Sequence, residues 1–494
     1  MKSLLSSWLY TSRPNPKLQS PRKPMRPQAG SFVVSMLFSG LLLTACDGGS
    51  GGGGQAGPDE RQLVSALEFA DPNLAGCVQR EAVGAGWLYA DEIEELNCAN
   101  LGIASLGGLE IFADLPNVSL SRLDLRLLDA AVSDLGPLTG LQSVASLHLT
   151  GHSAADIEPL GSLSGLRELE LAGVIHFSDA GGCAGSATSP VDDFSPLAGL
   201  SGLRLLTLYG CFDTQDYSFV NNLEALEELG LLRNASLAQL PALDKLGQLR
   251  ALNLSGSPRI QDIDTISSLA ALQYLVLPGD LTWGAGGLAP LAGLVNLRDL
   301  VLEDAVITGD LGPLAGLASL ESLTMRWWEL DYEPRGKVTD LSPLATLQKL
   351  SRLRLEHQQI SDIGPLAALP GLVELSLDDN QVSDLNPLSG LPELVELSLS
   401  YNQLSDLNPL ASVSALRELN LRFNQISDLT ALAGLDSVTA LDLYANPLTE
   451  LDPLVDMLAL ERLSISDQVS CSEAREFQTT RPDVLLDYGR PCPP

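Results

Sequence analysis

The chain has 494 residues, 45% of them hydrophobic but only 5% aromatic, and a formal net charge of −33. That length exceeds what one compact core usually serves, and the scarcity of aromatic bulk favours an interior layered from leucine. The negative balance argues against nucleic acid as a partner and against charge-driven docking on an anionic membrane face.

Charge divides the chain near its start. Lys2, Arg13, Lys17, Arg22, Lys23 and Arg26 precede residue 46, where no acidic residue lies, so residues 46–494 hold 23 basic and 62 acidic groups, a balance of −39. The apolar run SFVVSMLFSGLLLTA occupies positions 31–45. It is short for a membrane-spanning helix and suits the apolar core of a signal peptide. Residues 1–45 therefore read as a leader, and Met25 opens a version of ordinary size, where translation is expected to start. The four residues Leu43-Thr44-Ala45-Cys46 resemble a bacterial lipobox. The resemblance implies that Cys46 is lipidated and becomes the first residue of the mature chain. A plain signal peptide with an incidental cysteine is the alternative.

Residues 46–60 read as a flexible Gly-rich tether reaching roughly 20 Å. Gly48-Gly49-Ser50-Gly51-Gly52 matches the serine-hydrolase pattern G-x-S-x-G without the strand and helix that give the pattern meaning. Residues 61–98 read as an N-terminal cap. Asp71 and Pro72 start a helix whose Leu74, Cys77 and Val78 share a face.

From there to residue 466 one phrase recurs, as in LVELSLDDNQVSDLNPLSGLPE and LVELSLSYNQLSDLNPLASVSA. Pro343, Pro365, Pro387 and Pro409 are evenly spaced, and Asn380, Asn402, Asn424 and Asn446 keep the same step. These repeats resemble the 22-residue leucine-rich repeats of bacterial internalins. The resemblance implies an α/β fold: a right-handed solenoid with short parallel strands on its concave face, 3₁₀ turns and loops on its convex face, and a cap at each end. The physics agrees. Alternating leucines give a strand one apolar face, which only a neighbouring coil can cover. The Asn can satisfy backbone groups left inside the turn. The Asp of SDLxPL can cap a 3₁₀ turn that begins with Pro. About fifteen coils over residues 99–466 would stack to roughly 70 Å. The steps from Pro159 to Pro196 and from Pro313 to Pro343 are longer than the rest, which places insertions near 173–193 and 326–337. Residues 467–494 read as a C-terminal cap with a short helix at 472–478.

Seven cysteines less one for lipid leave six. In a linear stack they fall into three local pairs: Cys77 with Cys98, Cys183 with Cys211, and Cys471 with Cys492. Free buried thiols are the alternative. No catalytic constellation emerges. His148 and His152 lie four apart on a strand and its turn, without the helix a zinc-protease motif requires. Asp340, Asp362, Asp384, Asp406 and Asp428 recur once per repeat. They read as turn caps, with a calcium column as the alternative. No cofactor or metal is expected.

The leading expectation is a non-enzymatic, lipid-anchored protein of the cell envelope that binds a protein ligand as a monomer, touches membrane only through its anchor, and binds no nucleic acid. The alternatives are an envelope spacer without a specific partner and a regulatory scaffold similar to phosphatase-regulating leucine-rich repeat proteins. On each strand the residues between the leucines face the concave side. Aromatic and Arg side chains there and at the adjoining edge are the candidate contacts, because these types dominate binding hot spots. They are Arg326, Trp327, Trp328, Arg352, Arg354, His357, Tyr401, Arg422, Phe423 and Tyr444. The alternative is that the edge aromatics only cover their own turns.

Overall fold

The computed structural model describes residues 61–489 apart from 116, 174–190, 211, 213, 235, 261, 279–286, 304–309, 327–337 and 467. The chain divides into two units, 1–59 and 60–494, and the described residues all belong to the second. Among them seventeen strands form one sheet, from β1 (Glu95–Asn97) and β2 (Arg122–Leu125) to β16 (Arg462–Ser464) and β17 (Leu485–Asp487). Each strand pairs in parallel with its neighbour in sequence, and leucine lies opposite leucine: Leu375 against Leu397, Leu397 against Leu419, Leu419 against Leu441. This is the parallel-strand solenoid expected from the repeats. Strands β2 to β16 carry the leucine phrases. The two segments read as caps each add a strand of their own, so the sheet is longer than the fifteen repeats alone.

The inward-facing leucines of strands β2 to β16 are buried throughout, and each contributes about 2 kcal/mol by leaving water. Their register alone does not explain how the chain leaves each strand. That is the work of the buried asparagines. Asn402 donates from Nδ2 to the carbonyls of Leu399 and Ser400 in its own coil and of Leu377 in the coil before. Its Oδ1 accepts from the Val382 amide of that earlier coil at 2.8 Å. Asn380 and Asn424 repeat the pattern. Asn446 binds the equivalent groups of Leu421, Leu443 and Ile426. The residue before each asparagine takes a left-handed conformation although none is glycine: Asp379 (φ 53°), Tyr401 (φ 54°), Phe423 (φ 53°) and Ala445 (φ 57°). That conformation costs about 1 kcal/mol per residue. It is held by backbone bonds to the next coil, such as Tyr401 N to Arg422 O at 3.0 Å.

The ladder is less regular toward the N-terminus. Gln358 and Ser257 take the asparagine slot in their coils. His152 takes it after Gly151, whose φ of +89° and close backbone neighbours exclude a Cβ. The His152 ring is fully buried, and its Nδ1 accepts from the Ala154 amide at 3.2 Å. Four aromatics, Phe194, Phe212, Tyr217 and Phe219, form a further departure. Inside the coils that follow the first insertion the Phe194 ring lies 5.0–5.8 Å from those of Phe212, Tyr217 and Phe219, and Tyr217 lies 6.4 Å from Phe219. Phe194 and Tyr217 sit in leucine slots, so the repeat disguises them.

On the opposite side most coils make a 3₁₀ turn. An aspartate precedes it and accepts the amide two residues on, at 2.8–2.9 Å in all five coils of the aspartate column. Asp134, Asp156, Asp193, Asp216, Asp262 and Asp310 do the same in earlier coils. The carboxylates thus serve their own turns.

The helix α1 (Pro72–Ala85) closes the N-terminal end. Asp71 caps it through Asn73 and Leu74 and also accepts from Ala104 of the first coil at 2.7 Å. A disulfide joins Cys77 of this helix to Cys98 after β1. At the other end the expected short helix is α2 (Cys471–Thr480), capped by Ser470. Arg481 follows it, almost fully buried. Its guanidinium donates to the carbonyls of Val455, Met457 and Leu460, which close the last repeat turn, and pairs with Asp483 at 2.8 Å. Cys471 is disulfide-bonded, while Cys183, Cys211 and Cys492 lie outside the described residues.

Asn402→Ala leaves several buried backbone groups without partners and should destabilise the protein by about 3 kcal/mol; denaturant unfolding that matches wild type would contradict the ladder's role. Burial pushes the His152 imidazole down from 6.5 to about 4. As pH falls below 6.5 the unfolded ring takes up a proton that the folded ring refuses, so stability drops until about pH 4 is reached, by about 3 kcal/mol in all. His152→Asn should flatten that decline in melting curves taken between about pH 7 and about pH 4, and an equal decline in both proteins would refute it.

Candidate functional site

The leucine register that builds the core also fixes what faces the concave side. Strands β11 (Arg352–Leu355), β12 (Glu374–Ser376), β13 (Glu396–Ser398), β14 (Glu418–Asn420) and β15 (Ala440–Asp442) expose one or two side chains each between their buried leucines. With β16 and β17 they line a groove of ~570 Å³ whose floor includes Leu375, Leu397, Leu419 and Leu441.

Above that floor the groove is polar and mostly acidic. Glu356, Glu374, Asp378, Glu396, Glu418, Asp442 and Asp487 line it, against Arg354 and Arg462. Arg354 pairs with Glu374 at 3.3 Å, and Arg462 lies 3.8 Å from Glu418. Hydroxyls and amides link coils: Ser376 donates to Glu356, Ser398 donates to Asp378 at 2.6 Å, and Asn420 donates to Ser398. Burial, reinforced by the Glu356 charge, keeps the Asp378 carboxyl above its usual range despite the hydrogen bonds from Ser398 and Ser400.

An edge strip borders the groove. The left-handed residues before the asparagines project there in a column. Tyr401 stacks on Phe423 with ring centroids 4.1 Å apart and planes 12° from parallel. Phe423 meets Tyr444 edge to face at 5.7 Å. The Arg422 guanidinium lies 5.1 Å from the Phe423 centroid and 5.5 Å from that of Tyr444. Farther along the column His357 pairs with Asp379 at 2.7 Å.

The candidate residues are therefore only partly brought together. Tyr401, Arg422, Phe423 and Tyr444 form one contiguous strip, and Arg354 stands in the groove beside it. Arg352 reaches past Ser322 to Asp299 at 3.0 Å. Burial outweighs that arginine and holds the Asp299 carboxyl above its usual range. Arg326 ends its strand, but its side chain, Trp327 and Trp328 lie outside the described residues. Within the strip Tyr401 stacks on Phe423 of the next coil, and Phe423 meets Tyr444 of the coil after it edge to face. Sequence reasoning placed the groove carboxylates on the concave face but passed them over as contacts. The signal was the same register: Glu374, Glu396 and Glu418 occupy one column in consecutive strands.

Among the described residues no group of three His, Cys, Asp or Glu side chains converges as metal ligands, and no helix is long and apolar enough to cross a membrane.

Residues 185–485 match the family described as a leucine-rich repeat region. No curated protein matches the chain. Among solved structures, the fold is similar to that of an internalin, InlF, from Listeria monocytogenes, with 24% identity, 82% of this chain and 97% of that one covered, and a TM-score of 0.50. It is similar to a leucine-rich repeat protein of Leptospira interrogans, with 19% identity, coverage of 83% and 98%, and a TM-score of 0.60. It is also similar to the functional domain of InlJ from Listeria monocytogenes, with 16% identity, 82% of each chain covered and a TM-score of 0.50. At these identities the likeness is one of fold.

Proposed function

The chain belongs to the leucine-rich repeat family, and we propose that it is an exported, lipid-anchored binding protein of the cell envelope that holds a protein ligand on the C-terminal half of its concave face. The observation that carries this reading is the juxtaposition in one place of a leucine-floored groove and the strip of Tyr401, Arg422, Phe423 and Tyr444. A buried floor ringed by aromatic and guanidinium groups is the usual anatomy of a protein-binding hot spot. The support beneath it is stiff, because every strand is bonded to its neighbours and every turn is tied by the ladder. Little ordering free energy is then lost on binding. No step of this function calls for a reacting group, a cofactor or a second subunit.

The exported location rests on the leader and on Cys46 as the lipid attachment point. The internalin-like fold agrees with a surface role, and the Cys77–Cys98 disulfide fits an oxidising compartment. Lipid attachment predicts that Cys46→Ala abolishes acyl labelling and moves the protein to the aqueous phase of a detergent partition. Anchoring that persists in this variant would refute it.

The site itself is tested by capture of a protein from the same cell surface. Arg354→Ala, Tyr401→Ala and Trp328→Ala should each weaken that binding by about 1 kcal/mol or more while leaving the circular dichroism of the repeats intact. Binding that survives all three changes but is lost on altering the 173–193 insertion would move the site to the other half of the solenoid.

A further inference from the structure

The groove carries a charge pattern that the leucine register does not require. In the first concave column Glu374, Glu396 and Glu418 stand directly opposite one another on β12, β13 and β14. Strand spacing puts their Cα atoms about 5 Å apart. Like charges opposite each other in a sheet repel. Neutral residues occupy the same column elsewhere, as Ala251, Ser322 and Ala440 do, so the fold does not impose acid at these positions. Both guanidiniums of the groove already lie against this row, Arg354 beside Glu374 and Arg462 beside Glu418. With seven carboxylates against two guanidiniums lining it, the groove remains strongly negative.

From this we infer that the groove receives an extended, cationic polypeptide segment whose Lys or Arg side chains sit over the Glu374–Glu396–Glu418 row. The inference rests on the concave-face reading above and adds the chemistry of the partner. Charge complementarity selects the sign: an acidic segment or a nucleic acid meets the same repulsion that the glutamates exert on each other. The distribution of charge selects the shape. The carboxylates are spread one or two per strand and do not converge on a point, as a metal ion would need. From β11 to β17 the lining spans about 30 Å, the reach of about nine residues of extended chain. Lining the same groove, Asp378 is held above its usual range first by burial and further by the Glu356 charge. A bound cation would lower it again and convert the repulsion within the row into attraction.

The test uses fluorescence anisotropy of the full chain with labelled peptides of about ten residues, alternating Lys–Ser, Gln–Ser or Glu–Ser, at about 0.15 M salt where diffuse attraction is largely screened. The Lys–Ser peptide should bind at least roughly tenfold more tightly than Gln–Ser, and Glu–Ser should not bind. The triple variant Glu374→Gln, Glu396→Gln, Glu418→Gln should weaken Lys–Ser binding roughly tenfold or more. A control that removes the same formal charge from exposed return loops, Glu224→Gln, Glu393→Gln, Asp436→Asn, should leave it within about twofold. Equal losses in the two triples, no loss in the groove triple, or equal binding of the neutral peptide would overturn the inference. Should the groove triple fail to fold, Glu396→Gln alone is expected to weaken Lys–Ser binding about threefold, and unchanged binding would overturn it equally. If a captured protein still depends on Arg354 and Tyr401 while the Lys–Ser peptide ignores the glutamates, the cationic chemistry falls and the concave-face reading stands. If the peptide depends on the glutamates while Arg354→Ala and Tyr401→Ala leave the captured protein bound, the reverse holds.

Discussion

Each coil of this protein must turn its backbone away from a strand while surrounded by leucine. Amides and carbonyls in that turn have no water to bind and no strand to join, and leaving them bare is expensive. In the coils from Asn380 to Asn446 one buried asparagine per coil resolves the difficulty. Its amide side chain donates to carbonyls in two coils and accepts from an amide, so each turn is completed by its neighbour. Register and spacing follow from that single side chain, while backbone bonds to the next coil hold the left-handed residue before it. The solenoid is held by leucine burial but is aligned by these hydrogen bonds.

The same bonds decide where function can be placed. From His357 to Ala445 a left-handed residue turns its side chain out at the edge of the sheet, one per coil. In the C-terminal half those residues include Tyr401 and Phe423, which stack because the coils below them are spaced by strand pairing. The groove carboxylates are set on an equally fixed grid. Charge in the glutamate row cannot relax by moving backbone, since β12, β13 and β14 are each bonded to both neighbours. Its repulsion is therefore available to a ligand.

Much of this was legible in the sequence because the period is exact where the ladder is exact. The constant step through Asn380, Asn402, Asn424 and Asn446 revealed strand, turn and facing residues together. Asp71, Pro72 and the apolar face after them announced the first helix. What remained hidden sat in slots whose usual occupant masked it. Phe194 and Tyr217 stand where leucine belongs, so their cluster with Phe212 and Phe219 reads as ordinary core. His152 stands where asparagine belongs, and a lone histidine on a turn looks like surface. The left-handed column went unseen for a different reason: Tyr401 and Phe423 are poor candidates for that conformation by themselves, and only the bonds to the following coil hold them there. The glutamate row was visible but ambiguous, because in a chain this acidic a carboxylate on a strand looks like a solvated face.

The regularity of the ladder also bears on how such a protein changes over generations. Between Leu375 and Leu441 each coil presents its neighbours with nearly the same set of donors and acceptors. A whole repeat duplicated or deleted there finds matching partners on both sides. The coils around His152, Tyr217 and Ser257 lack that interchangeability, since each is fitted to a particular neighbour. Recombination can lengthen or shorten the acidic groove by whole coils while the N-terminal half stays fixed in number, so the face that meets a partner is the part of the molecule most open to evolutionary resizing.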